Sequence, residues 1–207
     1  MNQIKFIYFD IGGVMADTTN YFKNATNKFK ISLDEFTKFW EEHFRDKMTR
    51  GKITSQDFWK QAIKKFELKD AEDYNFVESW MSDYRPRKEI HKLAYELSKK
   101  YKIGLLSNIY NGMMPRLIEL GIVANNIDYS SIILSYETGL RKPEKEIYEI
   151  AAKKAGIKPR EILLIDDRKD FIEGAKTVGW QTFWFDEKDI KGSINRLKRF
   201  LGNIRQD

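Results

Sequence analysis

The chain has 207 residues, of which 42% are hydrophobic, 14% aromatic and 33% charged, so it carries enough apolar surface for a packed interior and is not a disordered polymer. It has no cysteine and only two histidines, His43 and His91, which excludes disulfides, thiolate nucleophiles, zinc–cysteine sites and iron–sulfur clusters. The formal charge is +6, yet 37 basic residues are interleaved with 31 acidic ones rather than gathered into a tract, so no nucleic-acid partner is expected.

Taken in chain order, the short β-rich run from Ile4 to Phe9 stops abruptly at Asp10-Ile11-Gly12-Gly13 and reads as a buried strand feeding a tight turn. Residues 18–86 contain no convincing strand and instead repeat helical spacing. Leu33, Phe36, Phe39-Trp40 and Phe44 form one stripe, opened by a capping-box signature at Ser32-Leu33-Asp34-Glu35. Phe58-Trp59, Ala62-Ile63 and Phe66 form a second, and Phe76-Val77, Trp80-Met81 and Tyr84 a third; all three predict the inside of a small helical bundle. Further strand-like runs follow at 103–106, 132–134, 162–165 and 182–185, separated by amphipathic stretches that predict helices over 87–100, 111–120, 144–155, 170–178 and 190–201. The alternation predicts an α/β fold with a parallel sheet flanked by helices. It divides the chain into a core of residues 1–17 and 87–207 and an all-helical cap of residues 18–86, with Arg85-Pro86-Arg87 as the hinge. Apolar runs reach about five residues against the ~18–20 that span a bilayer, so the expectation is a soluble, cytoplasmic chain with no membrane span or leader.

In an open parallel sheet, ligands bind beyond the carboxyl ends of the strands. The residues standing there are Asp10 with Gly12-Gly13, Ser107-Asn108, the loop Gly139-Leu140-Arg141-Lys142-Pro143 before a helix predicted to start at the proline, and Asp166-Asp167. Singly, each has a plainer reading as a turn former, helix cap or surface residue. Together they bring carboxylates, a hydroxyl, an amide and an ammonium to one crevice. Carboxylates suit a hard divalent cation such as Mg²⁺, while lysine, hydroxyl and backbone N–H groups suit phosphoryl oxygens.

With these residues in view, the chain resembles the haloacid dehalogenase (HAD) superfamily over nearly its whole length. Asp10-Ile11-Gly12-Gly13-Val14, Ser107, Lys142 and Asp166-Asp167 match that family's four motifs, and Gly-Leu-Arg-Lys-Pro with Leu-Ser-Asn is similar to sugar-phosphate phosphatases of the glucose-1-phosphatase type. The resemblance implies a Rossmann-like HAD core with a helical cap. It further implies a Mg²⁺-dependent phosphatase acting on a small phosphorylated metabolite, such as a sugar phosphate, through an aspartyl-phosphate intermediate. Asp10 would be the nucleophile. Asp10, the Gly12 carbonyl and Asp167 would hold Mg²⁺ with Asp166 in support, Ser107, Lys142 and the Gly12-Gly13 backbone would hold the phosphoryl group, and Asn108 would orient the loop or substrate.

Two positions depart from the family pattern. Gly12 stands where the family carries the aspartate that protonates the leaving group and activates water, which implies slow turnover or leaving groups that depart without a proton. Phe171 stands where many relatives have a polar residue, and its neighbour Asp170 is expected to cap a helix rather than serve the metal. Asp17, Thr18, Thr19, Arg45 and Arg50 are further candidates to reach a substrate. Two other readings are carried forward: a 2-haloacid dehalogenase, and a weakly catalytic HAD-like protein that binds a phospholigand or a protein partner.

Overall fold

The computed structural model describes residues 3–203. In chain order its first half comprises β1 (Phe6–Phe9), β2 (Ala16–Asp17), α1 (Lys23–Phe29), α2 (Leu33–His43), α3 (Arg45–Thr49), α4 (Ser55–Phe66), α5 (Phe76–Ser82) and β3 (Arg85–Pro86). There follow α6 (Lys88–Ser98), β4 (Lys102–Ser107), α7 (Met113–Glu119), β5 (Tyr129–Leu134), α8 (Ser135–Thr138) and α9 (Lys145–Ala155). The last elements are β6 (Ile162–Asp166), α10 (Lys169–Thr177), β7 (Gln181–Trp184) and α11 (Ile190–Asn203).

Strand β1 is buried at all four positions because it is the middle strand of a parallel five-stranded sheet ordered β5-β4-β1-β6-β7. Its side chains alternate: Phe6 and Tyr8 join Leu106, Tyr148, Leu164 and Trp180 on one face, while Ile7 and Phe9 join the larger cluster on the other. Gly104 lies opposite Tyr8, and a Cβ there would stand 2.6 Å from the Tyr8 ring, so the sheet needs a glycine to seat the two β1 rings. Register decides where the chemistry gathers. Phe9 pairs with Leu105 on one side and Ile165 on the other, so Asp10 leaves the sheet level with Leu106 and Asp166, and Ser107 and Asp167 stand one residue farther out.

Between β1 and α6 the aromatic stripes converge. Phe22, Phe36, Phe58, Trp59 and Phe76 are fully buried, Trp40 and Trp80 nearly so, and the Trp59 and Phe76 rings stack at 4.7 Å. Phe22 takes a left-handed backbone (φ 71°) that a bulky residue rarely adopts, and its ring packs against Tyr21, Phe36, Trp40, Phe58, Phe76 and Trp80.

Several details differ from the sequence expectation. Leu33, placed in the first stripe, is 40% exposed, because the opening residue of α2 projects past the bundle. Ser32 does cap α2 by accepting the Glu35 N–H, but the reciprocal capping box sits at the start of α4, between Thr54 and Asp57. The short helices α1, α3 and α8 carry too few turns for a periodic signal, and the antiparallel pair β2–β3 is two residues long, too short to alternate. The Lys142–Pro143 peptide is cis and α9 begins at Lys145, so Pro143 precedes the helix rather than opening it. Among the described residues no helix is long and apolar enough to cross a membrane.

Candidate active site

Asp10, the first residue after β1, is buried, and its Oδ1 accepts the Ile11 N–H at 2.8 Å. The same oxygen lies 3.1 Å from the Lys142 ammonium, which also donates to Asp166 Oδ2 at 2.5 Å. Both Lys142 and Asp166 are sealed from solvent. Asp166 Oδ1 accepts the Arg168 N–H at 3.0 Å, so both of its oxygens are engaged by the chain itself. Carboxylate oxygens of Asp10, Asp166 and Asp167 all lie within 4.8 Å of one another. This trio is the one group of metal-ligating side chains found among the described residues.

Three carboxyls against one ammonium leave an excess of buried negative charge. Burial works against the Lys142 charge, but Asp10 and Asp166 outweigh it and hold the ammonium above its ordinary range. Burial pushes the Asp166 and Asp167 carboxyls well above the usual carboxylate range, and the neighbouring Asp10 charge adds to the effect in both. A hard divalent cation placed among these oxygens would relieve both causes, since the desolvated carboxylates would ligate it and its charge would cancel their repulsion.

The backbone around the trio is specialised. Gly13 runs at φ +73°, and a Cβ there would fall on the Asp167 carboxyl, so only glycine lets the turn lie against that side chain. The turn is closed by Gly13 N–H to Ala16 O at 2.9 Å and Ala16 N–H to Ile11 O at 2.8 Å. The Arg87 guanidinium bonds the Gly13 carbonyl and reaches Glu187 at 3.4 Å, tying the expected hinge to this turn. Asn108 clamps Lys142 through its backbone: its Nδ2 donates to Lys142 O and its Oδ1 accepts the Lys142 N–H, each at 2.9 Å. Phe171 roofs the same group, with its ring 5.0 Å from the Lys142 nitrogen and 4.7 Å from the Arg168 guanidinium. A polar residue there would not shield the ammonium in this way.

A cavity of about 260 Å³ opens over the trio. Of the residues singled out in the sequence, Asp10, Gly12, Gly13, Ser107, Asn108, Asp167, Thr18, Thr19, Arg45 and Phe171 line it. Lys142 and Asp166 stand behind Asp10 instead, where their charges reach the cavity through that carboxylate. Asp17 is turned away, accepting the Thr19 N–H at 2.9 Å and hydroxyl at 2.7 Å. Arg50 is also outside: it binds Glu144, Asp46 and the Gly139 carbonyl, joining α3 to the loop that carries Lys142. Asp170 does not cap its helix, because α10 begins one residue earlier at Lys169 with Arg168 in the cap position. Its carboxylate sits in the first turn and pairs with Arg168 at 2.9 and 3.1 Å.

Sequence reading missed the aromatic lining of the cavity, Tyr21, Trp40, Trp80, Tyr84 and Tyr110. Trp40, Trp80 and Tyr84 were visible only as interior stripe residues. Tyr110, from the loop after β4, meets the Trp80 ring at 4.7 Å and the Trp40 ring at 5.9 Å, and no spacing in the chain announces a contact between segments so far apart.

Comparison with known proteins gives a consistent result. Residues 4–179 match the family model described as haloacid dehalogenase-like hydrolase. A D-ribitol-5-phosphate phosphatase from Bacteroides thetaiotaomicron is 28% identical over 197 residues, covering 87% of this chain and 91% of the relative. A glyceraldehyde 3-phosphate phosphatase from Pyrococcus furiosus is 22% identical over 208 residues, covering 89% of this chain and 82% of the relative. Among solved structures, a HAD-family enzyme from Bacteroides thetaiotaomicron in complex with magnesium and inorganic phosphate superposes with a TM-score of 0.73 at 23% identity, covering 89% of this chain and 95% of that one.

Proposed function

The chain belongs to the haloacid dehalogenase-like hydrolases, and on that premise we propose that it is a Mg²⁺-dependent phosphatase of small phosphorylated metabolites working through a phosphorylated Asp10. The observation that carries this reading is the convergence of Asp10, Lys142, Asp166 and Asp167 at the ends of adjacent strands and loops, with the ammonium bonded to two of the carboxylates. The donor set is all hard oxygen, which fits Mg²⁺. Asp10, Asp167 and the Gly12 carbonyl would hold the ion, with Asp166 in support because its own oxygens are already engaged. When bound there, the cation supplies charge neutralisation for the carboxylates and for the incoming phosphoryl oxygens.

The chain's own residues perform the rest. Asp10 Oδ1 is held by Ile11 N–H and Lys142, which leaves Oδ2 as the nucleophilic oxygen. Ser107 and the Gly12 N–H line the cavity, where they would donate to phosphoryl oxygens, while the Ile11 and Gly13 N–H groups are spent on Asp10 Oδ1 and the Ala16 carbonyl. Lys142 would keep Asp10 ionised and offset the approach of an anionic substrate. Helices of residues 18–86 would act as the cap that closes over the substrate and excludes water. The names of the relatives support small phosphorylated substrates, and the carboxylate excess favours cation-assisted phosphoryl transfer over metal-free halide displacement or ligand binding alone.

The test is phosphate release from a panel of phosphorylated metabolites with and without Mg²⁺. Wild type should turn over members of the panel only with the cation, and Asp10→Asn should lose the activity. Full turnover by Asp10→Asn, or chloride release from chloroacetate in EDTA, would refute the proposal.

A further inference from the structure

We infer that, within the phosphatase reading on which this inference rests, the preferred substrate carries its phosphate on an sp² carbon, as the ester of a phenol or an enol. Two independent observations lead there. The first concerns protons. The charged residues lining the cavity are Asp10, Asp167, Arg45, Arg168 and Glu187 among the described residues. Asp10 is the attacking group and Asp167 belongs to the metal cluster, while guanidinium groups do not release protons near neutral pH. Glu187 is engaged by Arg87 at 3.4 Å. At Gly12 the position of a Cβ is bounded only by Thr18, whose Oγ1 lies at 3.6 Å. The phenols of Tyr21, Tyr84 and Tyr110 are all held above their ordinary range by burial. With Asp10 attacking, Asp167 on the cation and Glu187 paired with Arg87, no carboxyl is left free to protonate the departing oxygen, a deficit of about 10²–10⁴-fold for a leaving group that needs a proton.

The second observation concerns shape. Tyr21, Trp40, Trp80, Tyr84 and Tyr110 line the same cavity of about 260 Å³ as the carboxylates, and its size and aromatic share suit one flat ring or a short conjugated chain.

The reaction balances without a protein acid. Asp10 Oδ2 forms a bond to phosphorus as the phosphorus–oxygen ester bond breaks, and the electron pair stays on the leaving oxygen as a phenolate or enolate that takes its proton from solvent. Water then attacks the phosphorus of phosphorylated Asp10, loses a proton to solvent, and releases inorganic phosphate and the free carboxylate. A phenol, with a pKa of about 10, leaves unaided far more readily than an alcohol, whose pKa lies near that of water at about 16.

The experiment measures kcat/KM in Mg²⁺ for substituted phenyl phosphates whose phenols span pKa values from about 7 to about 10, for an enol phosphate and for glycerol 3-phosphate. Phenylphosphonate and methylphosphonate binding are measured by calorimetry. The expected result is a rate that falls at least tenfold across the phenyl series, enol turnover within that range, glycerol 3-phosphate at least a hundredfold below phenyl phosphate, and phenylphosphonate bound at least tenfold more tightly than methylphosphonate. Gly12→Asp, whose Cβ would meet only ordinary contacts with Thr18, should flatten the series and raise glycerol 3-phosphate turnover at least tenfold. A flat series with glycerol 3-phosphate hydrolysed as fast as phenyl phosphate would overturn the inference while leaving the phosphatase reading intact, as would equal affinity for the two phosphonates. Failure on every ester, with neither phosphonate bound, would overturn both.

Discussion

At Gly13 the chain passes so close to Asp167 that any side chain would strike the carboxyl, and the backbone is left-handed as well. Gly13→Ala should therefore lower stability by about 2–4 kcal/mol, the sum of the left-handed penalty and the overlap, and should weaken Mg²⁺ binding because Asp167 must move. Urea unfolding and Mg²⁺ titration check both. Gly12 is its opposite: its position is roomy and its backbone ordinary, so the absence of a side chain there is chemical rather than steric. Both glycines stand in one short motif, and the residue letters alone do not reveal which is enforced by geometry. Asn108 makes the same point, since its amide faces two ways and both directions end on the Lys142 backbone, so it positions the loop.

The elements that position the site were largely legible. Continuous apolar runs at 6–9 and 162–165, alternating with helical stretches, read as buried strands of a covered parallel sheet, and the aspartate after each marked the crevice. What could not be read is how the helical insertion attaches to the core. Beside a shared apolar cluster, long-range polar contacts make that attachment: Arg50 with Glu144 and the Gly139 carbonyl, Arg141 with Asp46 at 3.1 Å, and Arg116 with Glu78 at 2.7 Å. Their partners lie tens of residues apart in the chain and obey no period. Because the Arg50 network spans α3 and the loop before α9, Arg50→Gln should destabilise by about 1 kcal/mol at low ionic strength and by less at high salt. The urea midpoint in the two buffers measures this, and a salt-independent loss would point to packing instead. The aromatic wall was hidden for a related reason: burial and cavity lining are the same periodic signal until Tyr110 from the core meets Trp40 and Trp80.

For the molecule as a whole, the decisive quantity is the charge buried under the cavity. The Asp167 carboxyl is pushed up to about 7 by burial first and by Asp10 second, far above the value of about 4 for a free aspartate. A carboxyl raised in the folded state contributes stability at low pH that is lost as pH climbs from about 4 towards 7. Mg²⁺, which takes only the ionised form, should restore it and release protons on binding. The gap in Tm with and without Mg²⁺ should therefore be wider near pH 7.5 than near pH 5.5, whereas an equal gap would mean the ion binds elsewhere. On the proposed reading, the same buried charge would let Asp10 act as a nucleophile only in partnership with Lys142 and a cation, which is the central claim. It is tested most directly by quenching the enzyme in acid during turnover of an activated phosphate ester and mapping the phosphorylated peptide by mass spectrometry. One phosphoryl group on Asp10, absent from Asp10→Asn, is the predicted result; phosphate release with no phosphorylated Asp10 at any quench time would contradict it.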